Sequence, residues 1–350
     1  VKVALRPFRD DDADAVAEAC GDPVIAHYLP FLPQPYTRDD ALEFFRRKPE
    51  DLAVVDPGTD RVLGSVGSTP RGDGTAEVGY WVAPWARRQG VASAALDQFA
   101  GRLFESGLQR LYLVTALTNG ASQRVAVAGG FVREGVARGS TRTRDGGWQD
   151  MVVWARTAAD PPGPSVRVLP DLPGGSLTDG VVTLRPIVEE DGPDTYQMRS
   201  LPDVSGRSVV GTPMDPAVVA RQCAESVSKW LAGQRAEMTV RAAADDGYLG
   251  EIALFYAEPA LREAMIGYSL TPAARGKGYA ARAARLVTAW GFEIGMARMI
   301  AGTAPDNIAS QRVLEAAGYH REGLQRGRLP GPDGTRIDNI QFAKLRPAAT

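Results

Sequence analysis

Shifted against itself by 188 residues, the sequence realigns at Gly79-Tyr80 with Gly267-Tyr268, at Asn119 with Asn307 and at Asp150 with Asp338, without a gap between those points. Roughly 30 of about 72 compared positions are identical, among them Ser122-Gln123-Arg124-Val125 against Ser310-Gln311-Arg312-Val313 and Arg133-Glu134-Gly135 against Arg321-Glu322-Gly323. Upstream, Leu5-Arg6-Pro7 echoes Leu184-Arg185-Pro186 at a shift of 179, so the second copy carries about nine extra residues before its core. A period this long marks a duplicated domain, not the short unit of a solenoid. With 350 residues each copy can bury a core of its own. The expected organisation is a domain over 1–158, a Pro/Gly-rich linker over 159–179 and a second domain over 180–350. Val166 to Leu169, inside that linker, has the composition of a short strand.

Composition narrows the function classes. Forty Lys and Arg oppose 42 Asp and Glu, for a net charge of −2. No basic block stands out of the kind a phosphate-backbone binder carries, so nucleic acid is not an expected partner. The two cysteines, Cys20 and Cys223, are too few and too far apart for a disulfide framework or a Cys-based metal site. Only two histidines occur, His27 and His320, against a His-rich metal centre or a Ser-His-Asp triad in each copy. No metal is expected. Val1 to Asp12 lacks a charged-then-apolar leader pattern, and no apolar run reaches the roughly 20 residues of a membrane span. The expectation is a cytoplasmic protein without membrane attachment.

Within one copy the pattern alternates. Strand character at Val3–Phe8, Leu52–Asp56, Val62–Ser68 and Glu77–Val82 gives way to a helix over Gly90–Ser106, with apolar Val91, Ala95, Leu96, Phe99 and Leu103 at helical spacing. A buried-type strand follows at Leu111–Ala116, then a short helix at Ser122–Ala128 and a terminal strand pair. The expected fold class is mixed α/β with a largely antiparallel sheet, present twice. Each copy sets a basic, small-residue loop between a strand and the long helix: Arg87-Arg88-Gln89-Gly90-Val91-Ala92 and Arg275-Gly276-Lys277-Gly278-Tyr279-Ala280. Free backbone N–H groups and the helix dipole favour an anion there. Neither loop has the spacing of a dinucleotide-binding or P-loop fingerprint.

These loops and their neighbours resemble the GCN5-related N-acetyltransferase superfamily, whose CoA-binding signature is Q/R-x-x-G-x-G/A. Arg87-x-x-Gly90-x-Ala92 and Arg275-x-x-Gly278-x-Ala280 both fit it. Within the superfamily the sequence is similar to the ribosomal-protein N-terminal acetyltransferases, the Rim group. That likeness rests on Gly79-Tyr80-Trp81-Val82, Asn119-x-x-Ser122, Gly130-Phe131, Arg133-Glu134-Gly135 and Asp145-Gly146 with Asp150. In the second copy it rests on Gly267-Tyr268-Ser269-Leu270, Asn307-x-x-Ser310, Gly318-Tyr319, Arg321-Glu322-Gly323 and Asp333-Gly334 with Asp338.

The resemblance implies two tandem acyl-CoA N-acyltransferase domains, with acetyl-CoA as cosubstrate and direct attack by an amine on its thioester. The strand ends at Val82 and Leu270 would hold pantetheine and polarise the thioester carbonyl. Ser122 and Ser310 would contact the CoA sulfur or, equally, serve the helix start beside Asn119 and Asn307. Those asparagines either touch the cofactor or shape a turn. The tyrosine acid of many superfamily members is replaced by Ala126 and Leu314. For the base, Glu77 is the candidate in the first copy, a surface salt bridge being its other reading, and its counterpart Met265 cannot take a proton. Both copies are expected to keep a CoA-sized cleft, with chemistry leaning to the first and the roomier phosphate loop in the second. The expected acceptor is an amine-bearing peptide N-terminus or a small amine such as an antibiotic; the acyl chain length stays open. A non-catalytic acyl-CoA-binding or partner-binding module is the alternative, and the chain is either a monomer with an internal pseudo-dimer or a homodimer.

Overall fold

A computed structural model describes residues 1–206, 215–331 and 334–348; Asp333 of the second closing motif lies outside the described residues. The chain divides into two compact units, Val1–Val166 and Arg167–Thr350. The Pro/Gly-rich stretch is shared between them. Its first part is irregular, while Leu169 and Leu172 are buried in the core of the second unit, and Leu177–Thr178 forms an edge strand there. Val166 to Leu169 forms no strand, because Val166 is 98% exposed and finds no ladder to join.

The first unit is built on strands β1 (Ala4–Pro7), β2 (Leu52–Val55), β3 (Val62–Gly72), β4 (Thr75–Val82), β5 (Arg110–Ala116), β6 (Val132–Arg142) and β7 (Trp148–Thr157), with helices α1 (Ala13–Cys20), α2 (Pro23–Tyr28), α3 (Arg38–Arg47), α4 (Val91–Glu105) and α5 (Gly120–Ala128). Its sheet runs β1-β2-β3-β4-β5-β7-β6, and every neighbouring pair is antiparallel except β4 and β5. The second unit repeats this with β8 (Leu177–Thr178), β9 (Val182–Pro186), β10 (Arg235–Ala242), β11 (Tyr248–Glu258), β12 (Glu263–Leu270), β13 (Arg298–Thr303), β14 (His320–Pro330) and β15 (Arg336–Leu345), and with helices α6 (Gly192–Arg199), α7 (Pro202–Ser205), α8 (Pro216–Ala224), α9 (Ser226–Leu231), α10 (Tyr279–Glu293) and α11 (Ile308–Ala316). Among the described residues its order is β14-β15-β13-β12-β11-β10-β9-β8, with β12 and β13 the parallel pair. The mixed α/β class and the duplication read from the sequence are what the chain folds into.

The long helix of each unit is held by one apolar stripe. On α4, Val91, Ala95, Leu96, Phe99 and Ala100 are all buried, a spacing that returns to one face every 3.6 residues. Burying Leu96 or Phe99 stabilises by about 1.5–3 kcal/mol each. The equivalent stripe on α10 runs Ala280, Ala283, Ala284, Val287, Trp290 and Gly291. The acidic run after β1 is explained by an ion pair that both units contain. Arg6 donates to both carboxylate oxygens of buried Asp12, and Arg185 does the same to Asp191. Each aspartate also accepts a backbone N–H at the start of the first helical turn. Among the described residues, no helix is long and apolar enough to cross a membrane.

Candidate active site

Sheet register creates the gap on which everything else depends. Strands β4 and β5 pair over three residues only, Thr75 with Arg110, Ala76 with Leu111 and Glu77 with Tyr112. Beyond Glu77, β4 stays paired to β3 as far as Val82 opposite Gly64, and β5 stays paired to β7 as far as Ala116 opposite Met151. The two central strands therefore part, leaving one backbone edge of Val78–Val82 without a strand partner. In the second unit the contact is Glu263 with Arg298, Ala264 with Met299 and Met265 with Ile300, and β12 then runs on to Leu270 opposite Gly250. There the gap opens into a cleft of about 2170 Å³ lined by Tyr268, Leu270, Gly276, Gly278, Asn307 and Ser310, among others.

The gap is bridged identically in both units. Tyr80 on β4 sets its hydroxyl 2.8 Å from Ser122 Oγ and donates to the Ser122 carbonyl at 3.1 Å. Tyr268 makes the same pair with Ser310, at 2.9 and 3.3 Å. Burial pushes the Tyr80 hydroxyl well above its ordinary range and that of Tyr268 up to about 12, each partly offset by the serine bond. Both phenols are therefore neutral donors. Asn119 and Asn307 are the N-caps of α5 and α11, each accepting the backbone N–H of its serine, at 3.0 and 3.2 Å. The sequence motifs contain Tyr80 and Tyr268 but give them no role in the site. The available signal was that tyrosine and serine recur at the same spacing in both copies.

Helices α4 and α10 start on Gly90 and Gly278, whose φ of +77° and +79° lie in the left-handed region. No side chain caps either helix, so the first-turn N–H groups face the loop. A Cβ on Gly278 or Gly276 would meet nothing within 4 Å, and one on Gly90 only Val1 at 3.7 Å. That bare backbone suits close approach of a pyrophosphate. Arg87 ion-pairs with Asp22, the N-cap of α2. Arg275 ion-pairs with Asp203 on α7 and donates its Nε to the Leu270 carbonyl at 3.1 Å. Arg88, Gln89 and Lys277 are exposed; Gln89 donates to the Trp85 carbonyl at 3.0 Å. The side chains of Val91 and Ala280 are buried and Tyr279 packs on the core, so these positions, like Ala92, offer backbone to the loop. Of the residues singled out, the loop, the strand end and the Asn-Ser corner thus lie around each gap.

Glu77 lies at the foot of the gap, where β4 and β5 last touch. Its Oε2 accepts the Nε of Arg71 at 2.9 Å, and a second guanidinium nitrogen reaches the same oxygen. Met265, its counterpart, is 38% exposed on β12.

The chain matches the model of the acetyltransferase (GNAT) domain twice, over residues 2–132 and 182–320, and it belongs to that family. It is 45% identical over 107 residues, 30% of this chain and 59% of the relative, to the probable N-acetyltransferase YjcK of Bacillus subtilis (strain 168). A second relative, the uncharacterized N-acetyltransferase YnaD of the same organism, is 39% identical over 66 residues, 19% of this chain and 39% of its own. The chain therefore spans about three-fifths and two-fifths of the lengths of these curated relatives. Among solved structures, Mycobacterium smegmatis RimJ in complex with CoA-disulfide superposes with a TM-score of 0.43 at 26% identity, covering 49% of this chain and 86% of that one. A GNAT-family acetyltransferase from Bacillus anthracis gives 0.44 at 23% identity, covering 49% and 98%.

Proposed function

We propose that the chain transfers an acetyl group from acetyl-CoA to a primary amine by direct attack, with the first unit carrying the chemistry. The observation that carries this reading is the strand gap bridged by tyrosine and serine, set next to an uncapped helix N-terminus, in a chain of the acetyltransferase family. The loop amides of α4 and α10 would hold the pyrophosphate, with Arg87, Arg88, Arg275 and Lys277 adding positive charge. The unpaired edge ending at Val82 or Leu270 would hold pantetheine in strand-like fashion and direct an N–H at the thioester carbonyl.

The amine lone pair forms the C–N bond as the C–S bond breaks, and the electron pair leaves on sulfur. The one Tyr80 O–H can donate to the Ser122 carbonyl or to Ser122 Oγ; in the second arrangement the serine O–H is free to point at that sulfur, so that Tyr80 and Ser122 together stabilise the leaving thiolate. Holding both reactants across one gap supplies much of the acceleration. Glu77 is one carboxylate able to accept the amine proton, at the cost of weakening its bond to Arg71. The Rim resemblance favours a peptide α-amine as acceptor, and acid–base chemistry agrees: its pKa of about 8 leaves far more neutral amine at pH 7 than a lysine near 10.4 does. Met265 favours a second reading for the second unit alone, a CoA cleft without a base.

Thiol release from acetyl-CoA, measured with a panel of free-amine peptides and small amines, tests the reading. Release with a peptide α-amine is expected. Tight CoA binding with no release for any acceptor would favour a binding module.

A further inference from the structure

The register that opens the gap also brings an unassigned carboxylate to it. Gly79 on β4 pairs with Gly67 on β3, and Val66 pairs with Leu52. One residue further along the same register stands Asp51, just before β2. A Cβ placed on Gly67 would collide with the Asp51 carboxylate, whereas one placed on Gly79 would meet nothing within 4 Å. The carboxylate thus lies flat on one bare glycine, and the neighbouring bare glycine is open. Facing Cβ positions in an antiparallel pair are about 5 Å apart, and the Asp51 carboxylate lies more than 4 Å from a Cβ placed on Gly79, so an amine seated over Gly79 and leaning toward Gly67, or one water between them, would bring its proton to Asp51. Gly79 also lies just before Tyr80–Val82, along the unpaired edge of β4.

Among the described residues, the cations near Asp51 are engaged with other groups. Lys48 sits 3.6 Å from Glu50 and donates to Thr69 at 3.4 Å, while Arg71 on the same sheet is taken by Glu77. Burial pushes the Asp51 carboxyl up to about 6, against the pull of Lys48 and a hydrogen bond from the Ser68 backbone. A general base works best near the operating pH.

The second unit places Glu237 at the matching register position, through Met238 opposite Ile252 and Ala253 opposite Gly267. Its surroundings differ. Ala253 replaces the bare Gly67, Arg235 stands 3.2 Å from Glu237, and the Phe255 ring lies 3.4 Å from where a Gly267 Cβ would be. The carboxylate is ion-paired and the space over the glycine partly filled.

We propose that Asp51 is the catalytic base of the first unit and that the acceptor amine sits over Gly79. This rests on the amine-acetylation reading above. Asp51 takes one proton from the acceptor ammonium, giving the neutral amine. Its nitrogen then forms the C–N bond, the C–S bond breaks, and the second amine proton ends on the departing sulfur as thiol. Asp51 returns its proton to water.

The test uses the full chain, acetyl-CoA and free-amine tetrapeptides. Asp51→Asn lowers kcat/KM by about 100-fold or more and removes the rise of kcat/KM through pH 6, leaving the amine's own limb near pH 8. Its calorimetric affinity for acetyl-CoA stays within about twofold. Glu77→Gln costs less than about tenfold and keeps the limb at pH 6. Should Asp51→Asn not fold, Gly79→Val answers separately, since its side chain enters open space: it raises KM for the peptide at least about tenfold with acetyl-CoA affinity kept. Turnover of Asp51→Asn within threefold of the unaltered chain, survival of its pH 6 limb, or an unchanged peptide KM in Gly79→Val overturns the assignment. Absence of thiol release from the unaltered chain with every peptide overturns the transfer reading itself, and is distinct from those outcomes.

Discussion

In the first unit the residue two before the Gly-Tyr pair is Glu77, bound to Arg71; in the second it is Met265. Across the strand, Asp51 lies on bare Gly67 while Glu237 stands against Ala253 with Arg235 beside it. Yet the backbones agree residue for residue: Val66 opposite Tyr80 and Ile252 opposite Tyr268, Gly64 opposite Val82 and Gly250 opposite Leu270. Even the tight glycines match, since a Cβ on Gly64 or Gly250 would collide with the facing strand's backbone. The cleft is a backbone object, fixed by register and by the short parallel contact, and it survives changes of side chain. The carboxylates beside it are side-chain objects and have diverged between the copies.

The largest effect expected is on stability. The folded Asp51 carboxyl titrates at about 6, above the unfolded value of about 3.9, so folding binds its proton more tightly. Its favourable contribution is complete below about pH 4 and lost as pH rises through 6. Asp51→Asn should therefore stabilise the first unit at pH 8 by about 1–2 kcal/mol after allowance for solvent screening, with little gain at pH 4. Thermal unfolding at the two pH values checks this; a loss of stability at pH 8 would mean the carboxylate is structurally paired, like Glu237. Next comes the tyrosine bridge. Tyr80→Phe should lower kcat for thiol release by about tenfold, equivalent to one hydrogen bond of about 1.4 kcal/mol. Tyr268→Phe should change it by less than threefold if turnover belongs to the first unit, and equal losses would erase the functional difference between the copies.

The smallest effect is in the loops. Arg88 has φ +58° where the second unit has Gly276 at +73°. Gly276→Arg should cost about 1 kcal/mol in denaturant unfolding, and Arg88→Gly should regain less than that, because glycine also loosens the unfolded chain. A neutral Gly276→Arg would show that the two loops are equally relaxed.

The duplication, the α/β class, the glycine-led starts of α4 and α10 and the Asn-Ser corner were legible because each is written in contiguous residues and written twice. Helix α4 was legible for a similar reason, its buried stripe lying at a single period. What escaped was set by pairing across strands. Asp51 and Glu237 are related by a shift of 186, not the 188 that aligns Gly79 through Asp150 with the second copy, so the self-comparison that found Gly79 and Gly267 passes them by. Their approach to those glycines exists only once β2 and β10 are in register. Leu169 and Leu172 were obscured by the prolines and glycines around them, yet both are buried in the second unit's core. Glu77 was visible as a carboxylate on the right strand, but its bond to Arg71 depends on the β3–β4 hairpin.

Calorimetric titration of the full chain with acetyl-CoA most directly tests the claim that two backbone-defined clefts persist while their chemistry differs. Two molecules should bind per chain, and Gly90→Trp and Gly278→Trp should each leave one. A stoichiometry of one for the unaltered chain would contradict the account.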